Sequence, residues 1–201
     1  MANCNFRSIL GNVLKERFPD VASYETLLLI HNAGSLGDIS KRAVQHSNFE
    51  HVDKEIRLNV TSPIILTAIF NDLIFTHLPA NSTKIIVNIS SLAAIKPFEC
   101  WSLYCSNKVA RDMFFKCLAL ESPSIRVLNY APGPLDTDMQ EEIRIHCGDE
   151  KIRAMFVKLM EEKQLIRPVD SAKKMIELLC HNHSWTSGDH VDYYDVINRV
   201  T

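Results

Sequence analysis

Glycine is scarce in this sequence. Six of the 201 residues are glycine, about 3%, where an average protein has roughly 7%. No three of them fit the spacing G-x-G-x-x-G, and the pattern G-x-x-x-x-G-K-S/T is also absent. Those two patterns place backbone N–H groups around a phosphate at the start of a helix. An interpretation that involves a nucleotide must therefore rest on other residues.

An excess of charge of either sign is also lacking. The 22 Lys and Arg residues nearly balance the 24 Asp and Glu residues, for a net charge of −2. This balance gives no indication of binding to nucleic acid or to an anionic membrane. The most apolar stretch, residues 63–75, is short and contains Asn71 and Asp72, so we expect no membrane span.

Patterns of cysteine and histidine that hold disulfides or metals are missing too. The six cysteines contain no C-x-x-C pair, and the eight histidines form no H-E-x-x-H motif; no metal site is predicted. No long apolar run near residue 1 resembles a secretory signal. We therefore expect free thiols in a reducing compartment, which predicts a cytoplasmic protein.

Segments of helical and of strand character alternate along the chain. Helical spacing of apolar residues is found over residues 5–18, 48–77 and 101–121, and in two or three further helices of which the last covers 169–181. Apolar runs rich in β-branched residues predict strands over 26–31, 84–90 and 125–130, with a final strand over 190–194. Pro63 should kink the long second helix. The alternation predicts one domain over residues 1–201, a Rossmann-like parallel α/β sheet with flanking helices.

The spacing of Tyr104 and Lys108 is the first indication of chemistry. The two lie four residues apart in the predicted helix over 101–121, so they project from one face. An ammonium held ~5 Å from a phenol favours the phenolate by roughly 3 kcal/mol at an effective dielectric of ~20, or about two pKa units. That pairing suits proton donation to a carbonyl that is being reduced. Taken alone, two residues on a half-exposed helix face explain it equally well.

The residues around that pair make the chemical interpretation more specific. Ser91 lies thirteen residues before Tyr104, just past the strand over 84–90, and its neighbour Ser90 is an alternative hydroxyl. Asn59 lies inside the long helix, and the motifs H-N-A-G (31–34) and A-P-G-P-L-D-T (131–137) follow two other strands. In parallel sheets, ligands bind outside the carboxyl ends of the strands, where these motifs lie. Together with Y-x-x-x-K, the set resembles the short-chain dehydrogenase/reductase family.

The resemblance implies a role for each matching residue. Ser91 would polarise the substrate carbonyl and Tyr104 would supply the proton. Lys108 would lower the pKa of Tyr104 and hold the nicotinamide ribose, and Asn59 would complete a water relay. The family's spacing favours Ser91 over Ser90. His31 stands where the family most often has asparagine, and we expect it to be structural.

Longer segments resemble one branch of that family, whose members reduce side-chain carbonyls of pterins with NADPH in tetrahydrobiopterin synthesis. These segments are V-N-I-S-S-L-A-A-I-K-P-F, A-P-G-P-L-D-T-D-M-Q and H-V-D-Y-Y-D. The likeness implies that Asp192 anchors the pterin, because a carboxylate can accept two hydrogen bonds from the amino and N–H edge of the ring. It places the substrate beside Ser91, Leu92, Tyr104, Gly133 and Asp192, and NADP(H) beside Asn32, Lys108, Leu135, Asp136, Thr137, Asp138, Met139 and Gln140. It also implies a homodimer in which the two long helices pack against those of a partner.

The sequence departs from the family at one end. Residues 1–25 match only the helix that leads into the strand over 26–31, and the family's first strand, glycine loop and next two strands have no counterpart. We therefore expect an N-terminally incomplete fold in which the strand over 26–31 lies at an edge, and weak binding of NADPH. A spliced isoform, a mispredicted gene and a fragment are all compatible with this.

Two other functions remain open. One is a short-chain reductase that acts on dicarbonyls or similar small ketones, against which Asp192 and its surrounding motif argue. The other is a catalytically silent form that acts only by binding or dimerisation. Binding of NADPH separates this last possibility from the two reductases.

Overall fold

Four parallel strands form the centre of the computed structural model, which describes residues 3–180 and 185–195. The strands are β1 (Thr26–His31), β2 (Thr83–Ile89), β3 (Ile125–Ala131) and β4 (His190–Asp192). They lie side by side in the order β1-β2-β3-β4. The predicted parallel α/β sheet is confirmed.

Seven α-helices flank this sheet within the described residues. They are α1 (Asn3–Arg17), α2 (Phe49–Ile56), α3 (Ser62–Leu73), α4 (Ser102–Glu121), α5 (Asp138–His146), α6 (Glu150–Glu161) and α7 (Pro168–Cys180). Helices α1, α4 and α7 agree with the predicted bounds to within one or two residues. The predicted end of the last helix, at residue 181, lies outside the described residues.

The predicted long helix over 48–77 is divided. A π-helical turn over Arg57–Thr61 separates α2 from α3, and Pro63 stands in the first turn of α3. Proline cannot donate a backbone hydrogen bond and its ring crowds the carbonyl four residues before it. The chain accommodates this by widening one turn, and such turns are frequent at functional sites. The interruption brings Asn59 into that turn.

Taken as one helical stretch, Phe49–His77 is long and apolar enough to cross a membrane, with a mean hydropathy of 1.5 over its best window. This stretch is longer than residues 63–75, on which the expectation of no membrane span was based. Core helices of α/β proteins meet the same criterion, and here Phe70, Ile74 and Phe75 are buried in a cluster with strand residues. Only 39% of the window is buried, however, so much apolar surface remains on it.

Each face of the sheet has its own core. On one face, residues of α1, α3 and α4 pack on Leu27, Ile86 and Val127. On the other, the alternate strand residues pack against α7 through Met175 and Leu178. A third cluster joins the start of α4 to α5 and α6; it contains Trp101, Tyr104, Ile143, Cys147, Ile152 and Phe156. The structure describes the side chains of five cysteines, and all five are free thiols, as predicted.

Strand β1 lies at one edge of the sheet and pairs with β2 alone among the described strands. Leu28 and Ile30 are 39% and 40% exposed on the face that α7 covers further along the sheet. The predicted edge position of this strand, with an apolar flank, is confirmed.

His31, at the end of β1, is buried in the core, and its protonation can be used to test that burial. Its Nε2 lies 2.8 Å from Thr67 Oγ1 and its ring packs against Phe115. Burial, helped by the cation of Arg111, lowers the pKa of His31 to about 4. The unfolded chain therefore binds a proton near pH 6.5 that the folded chain accepts only near pH 4, so stability falls as pH falls through that window.

We expect His31→Phe to flatten this part of the pH dependence. The phenyl ring keeps the contact with Phe115, and Thr67 stays paired because its hydroxyl also donates to the Pro63 carbonyl. Urea unfolding of the parent and of His31→Phe at pH 7 and pH 4.5 measures how much free energy of unfolding each loses on acidification. The parent should lose at most about 3 kcal/mol more than the variant. If the parent and His31→Phe lost the same free energy of unfolding between pH 7 and pH 4.5, the burial of a neutral His31 would be contradicted.

Candidate active site

Helix α4 brings Tyr104 and Lys108 together at the carboxyl end of β2. Tyr104 lies in the first turn of the helix, is 6% exposed, and packs edge-on against Trp101. Lys108 Nζ donates to the carbonyl of Ile89, at the end of β2, over 2.8 Å. The same ammonium lies 5.5 Å from the centre of the Tyr104 ring. The proximity predicted from the four-residue spacing is therefore present.

The direction of the pKa shift differs from the sequence-based expectation. Burial raises the pKa of Tyr104 to about 12, although a hydrogen bond with Ser91 and the charge of Arg111 act to lower it. Burial also lowers the pKa of Lys108 to about 7, helped by Arg111 and opposed by Asp112. The expected lowering of the Tyr104 pKa by Lys108 is wrong here, because the start of α4 is dry and disfavours both charged forms. Tyr104 is thus a phenol at neutral pH, the form that can donate a proton.

The two adjacent serines after β2 have different surroundings. Ser91 forms the hydrogen bond with Tyr104 that lowers the tyrosine pKa, and its Oγ accepts from the N–H of Ala93. Ser90 is 2% exposed, and its hydroxyl donates to Asp112 Oδ1 over 2.6 Å. The geometry therefore favours Ser91 as the hydroxyl that a substrate would meet.

Asn59 approaches the same place from the π-helical turn. Its Nδ2 donates to the Glu55 carbonyl and its Oδ1 accepts from the N–H of Ser35, each at 3.0 Å. A β-carbon placed on Gly34 would lie 3.1 Å from Asn59 Oδ1 and 4.0 Å from Lys108 Nζ. Asn59 and Lys108 therefore both lie beside Gly34, where a side chain would crowd Asn59.

The predicted substrate residues lie at the carboxyl ends of β2, β3 and β4. Asp192 ends β4 opposite Ala131, and its Oδ1 accepts from the N–H of Tyr194 over 3.0 Å. Gly133 has a φ of +76°, and a β-carbon there would lie 3.5 Å from Cβ of Tyr193 and 2.5 Å from Ile166. Leu92 follows Ser91 and is 42% exposed.

Apart from Lys108 in α4, the predicted cofactor residues lie in two segments beside this edge. Asn32 follows β1 and is exposed. Residues 135–140 run along Ile166, with the N–H of Asp136 donating to its carbonyl over 2.9 Å, and then begin α5. Thr137 is the N-cap residue of α5, and its side chain makes no capping hydrogen bond. Gln140 differs from the rest of this loop because it is 5% exposed and accepts from Arg144.

Arg111 and Asp112 are the residues that the sequence argument missed. Arg111 is 1% exposed and donates to the carbonyls of His31 and Ala33 and to Asn88 Oδ1, over 2.8–3.0 Å. Asp112 accepts from Asn88 Nδ2 at 2.9 Å and pairs with His190 at 2.6 Å. A signal for Arg111 was present, since a residue three after Lys108 and seven after Tyr104 lies on the same face of the helix.

Comparison with known proteins agrees with this geometry. The family model for short chain dehydrogenases matches residues 21–148. The chain belongs to that family. It is 45% identical over 175 residues to the sepiapterin reductase of Xenopus tropicalis, an alignment that covers 87% of this chain and 66% of that protein. The sepiapterin reductase of Rattus norvegicus is also 45% identical, with 86% and 64% covered.

Relatives outside that group share the domain at lower identity. The benzil reductase of Bacillus subtilis is 32% identical, with 89% of this chain and 71% of that protein covered. Among solved structures, the KRED1-Pglu enzyme matches with a TM-score of 0.75 at 28% identity, covering 90% and 74% of the two chains. ElxO with NADP bound matches with a TM-score of 0.66 at 21% identity, covering 92% and 70%. The chain spans just under two thirds of the length of the sepiapterin reductases named above.

The two serines give a test of the site geometry. We expect Ser91→Ala to lower carbonyl reduction at least about 100-fold while leaving stability close to that of the parent, because it removes the partner of Tyr104. Ser90→Ala should instead lower the free energy of unfolding by about 1.5–3 kcal/mol, because it removes a buried hydrogen bond to a carboxylate. Steady-state rates and urea unfolding of both variants measure the two effects. The reverse pattern would assign the catalytic hydroxyl to Ser90.

Proposed function

We propose that this chain carries the carbonyl-reducing and pterin-binding part of an NADPH-dependent reductase of the sepiapterin reductase type. The observation that carries the proposal is the convergence of Ser91, Tyr104 and Lys108 at the carboxyl end of β2, on the sheet edge where β4 presents Asp192. The sequence likeness to sepiapterin reductases supports the choice of substrate class.

The residues of this chain would act on the carbonyl as an acid and its supports. Tyr104, whose pKa of about 12 keeps it protonated, donates its phenolic proton to the carbonyl oxygen. The Ser91 hydroxyl bonds the same oxygen and stabilises the charge that develops on it. NADPH, when bound, supplies the hydride. Lys108 and Asn59, which both lie beside Gly34, would provide the polar groups through which Tyr104 regains a proton.

The residues present fit the nicotinamide end of NADPH. Lys108 lies one helical turn from Tyr104, and Thr137 has a side chain that makes no capping bond and could bond the carboxamide. The 201 residues contain no glycine-rich loop for the pyrophosphate. We therefore expect the chain on its own to bind NADPH weakly, since several charge-assisted hydrogen bonds of roughly 1.5–3 kcal/mol each are missing.

Asp192 would select a pterin by its ring edge. Its Oδ1 already accepts from the N–H of Tyr194, which fixes the orientation of the carboxylate plane. A carboxylate held in this way can accept from the amino and N–H groups of a pterin ring. The carbonyl side chain of the pterin would then extend toward Ser91 and Tyr104. A cytoplasmic location remains a prediction, supported by the free thiols.

The function is tested by NADPH oxidation with sepiapterin, run at the highest usable NADPH concentration. We expect slow turnover by the purified chain, and Tyr104→Phe should lower it at least about 1,000-fold while sepiapterin binding changes less than about threefold, because only the proton donor is lost. Turnover within a few-fold of the parent would contradict the assignment of Tyr104.

Benzil provides the matched control for the competing reductase function, because a benzil reductase is among the more distant relatives. Asp192→Asn should raise KM for sepiapterin about tenfold or more and leave any reduction of benzil unchanged, because benzil has no N–H edge. Equal loss with both substrates would remove the case for a pterin. No turnover of either substrate, together with no binding of NADPH, would favour the silent binding form.

We further propose that the chain forms a homodimer through its long helices. Val109 and Met113 on α4 are 47% and 57% exposed, and Ile56 and Ile65 on the neighbouring helical stretch are 40% and 36% exposed. This is more apolar surface than a solvated helix carries. A pair of such surfaces would bury it across a two-fold axis.

Light scattering at micromolar concentration tests the dimer. We expect the mass of two chains for the parent, and Met113→Glu should shift it to the mass of one because it places a charge in the interface. The control is Met155→Glu on α6, where the methionine is 41% exposed, which should leave the dimer intact. A parent chain that is monomeric under these conditions would contradict the proposal.

A further inference from the structure

A buried pair of side chains connects the catalytic helix to the last strand. His190 Nδ1 donates to Asp112 Oδ2 over 2.6 Å, and the two side chains are 9% and 7% exposed. The other carboxylate oxygen of Asp112 accepts from Ser90 and from Asn88. Asp112 lies one helical turn after Lys108, and His190 lies two residues before Asp192. The pair thus spans the distance between the proton donor's helix and the strand that ends in the proposed pterin anchor.

Strand β4 is short, and its Val191 packs on the core cluster beneath α7. It has three residues, pairs only with β3 within the described part of the chain, and none of its residues is fully buried. Its neighbours add backbone bonds to β3, from Asn129 N–H to Asp189 and from Tyr193 N–H to Ala131. These bonds fix the strand in the plane of the sheet. Among the described side chains of β4, only that of His190 forms a hydrogen bond to α4.

The ring of His190 makes that attachment through one nitrogen. Its Nε2 is buried and has no hydrogen-bond partner in the part of the chain that the structure describes. Nδ1 is thus the atom that decides where the ring sits. A short bond to a carboxylate is roughly twice as strong as one between neutral groups, so it can hold a three-residue strand.

We propose that Asp112 and His190 are a positioning pair that holds β4, and with it the carboxylate of Asp192, at a fixed distance from Tyr104 and Lys108. The pair touches neither substrate nor cofactor and acts only through Asp192. The inference rests on the proposed function, because it assigns the pair to the geometry of the pterin site. It predicts that loss of the pair weakens pterin binding while the proton-transfer residues stay in place.

Two variants at position 190 separate the hydrogen bond from the side-chain volume. His190→Phe keeps a ring and removes the donor, and Asp112 keeps its bonds from Ser90 and Asn88. His190→Asn has a nitrogen at the position of Nδ1, so it retains the donor and gives up only the unpartnered Nε2. Ser90→Ala is a comparison variant that removes a different donor from Asp112, one on the β2 side whose oxygen also lies 3.4 Å from His190 Nδ1.

Two measurements are made on the full 201-residue chain. Calorimetric titration with sepiapterin in the presence of NADP⁺ gives the pterin Kd, and amide hydrogen exchange by NMR reports on β4 without any ligand. We expect His190→Phe to raise Kd roughly tenfold and to speed exchange of the Tyr193 amide by about the same factor. His190→Asn should restore both to within about threefold of the parent, and Ser90→Ala should leave Kd within that range. The exchange of Val87, in β2, reports global unfolding, so the change at Tyr193 is taken relative to the change at Val87 in each variant.

Each other outcome overturns the proposal in a recognisable way. If His190→Phe changes neither Kd nor exchange, the pair does not hold β4. If exchange rises and Kd does not, the pair is structural and has no part in the pterin site. If His190→Asn behaves like His190→Phe, ring shape and not the hydrogen bond is responsible. If the parent chain binds no sepiapterin, the proposed function is wrong, and the exchange data alone then show a purely structural pair.

Discussion

The buried guanidinium of Arg111 is the group on which the arrangement of the site depends. It donates to the carbonyls of His31 and Ala33, where β1 ends, and to Asn88 in β2. Asn88 in turn donates to Asn129 in β3, and Asn129 donates to the carbonyl of Gly188, just before β4. A single polar layer therefore runs from the carboxyl end of β1 through β2 and β3 to the residues just before β4. Without this polar layer, the loops that carry the site would share no hydrogen-bonded contact, because each loop leaves the sheet from a different strand.

A buried cation of this kind is costly unless all its donors are satisfied. Arg111 is 1% exposed and its three bonds go to two carbonyls and an amide, not to a carboxylate. Burial lowers the pKa of Arg111, and Tyr104 and the neighbouring carboxylate of Asp112 oppose that shift. The layer is thus a balanced arrangement of one cation, one anion and neutral amides, with few groups left unpaired.

The same dry surroundings determine the chemistry above the layer. Burial disfavours the phenolate of Tyr104 and the ammonium of Lys108, so that the first stays a phenol and the second loses its proton near pH 7. A bound dinucleotide would bring negative charge toward Lys108 and favour its charged form. The site therefore holds Tyr104 as an acid that can donate its proton, and an anionic ligand bound there would favour the charged form of Lys108.

Sequence patterns predicted most of the elements and the proximity of Tyr104 to Lys108, but β4 ends at Asp192, two residues before its predicted end. Strand β1 has the predicted bounds, and β2 and β3 differ from theirs by one residue, because short apolar runs between turn signals leave little freedom. The π-helical turn around Asn59 could not be predicted, since Pro63 indicates a disturbance without specifying its form. The pair of Asp112 and His190 joins residues 78 apart, and only the folded sheet brings them together.

The pKa directions at Tyr104 and Lys108 were equally out of reach of the sequence. A Coulomb estimate from their spacing treats both side chains as solvated, whereas the packing of Trp101 and the third core cluster removes water from the start of α4. Burial then outweighs the attraction between the two groups. Spacing identifies which groups meet, and burial decides their protonation.

The dependence of the strand ends on Arg111 is tested most directly by the free energy of unfolding of Arg111→Met, measured in urea. We expect a loss of more than about 3 kcal/mol, because three charge-assisted hydrogen bonds disappear and buried acceptors at the ends of β1 and β2 lose their partner. Arg57→Met, at an exposed ion pair with Asp53, is the control and should cost less than about 1 kcal/mol. Equal stability of the two variants would contradict the claim that the strand ends depend on Arg111.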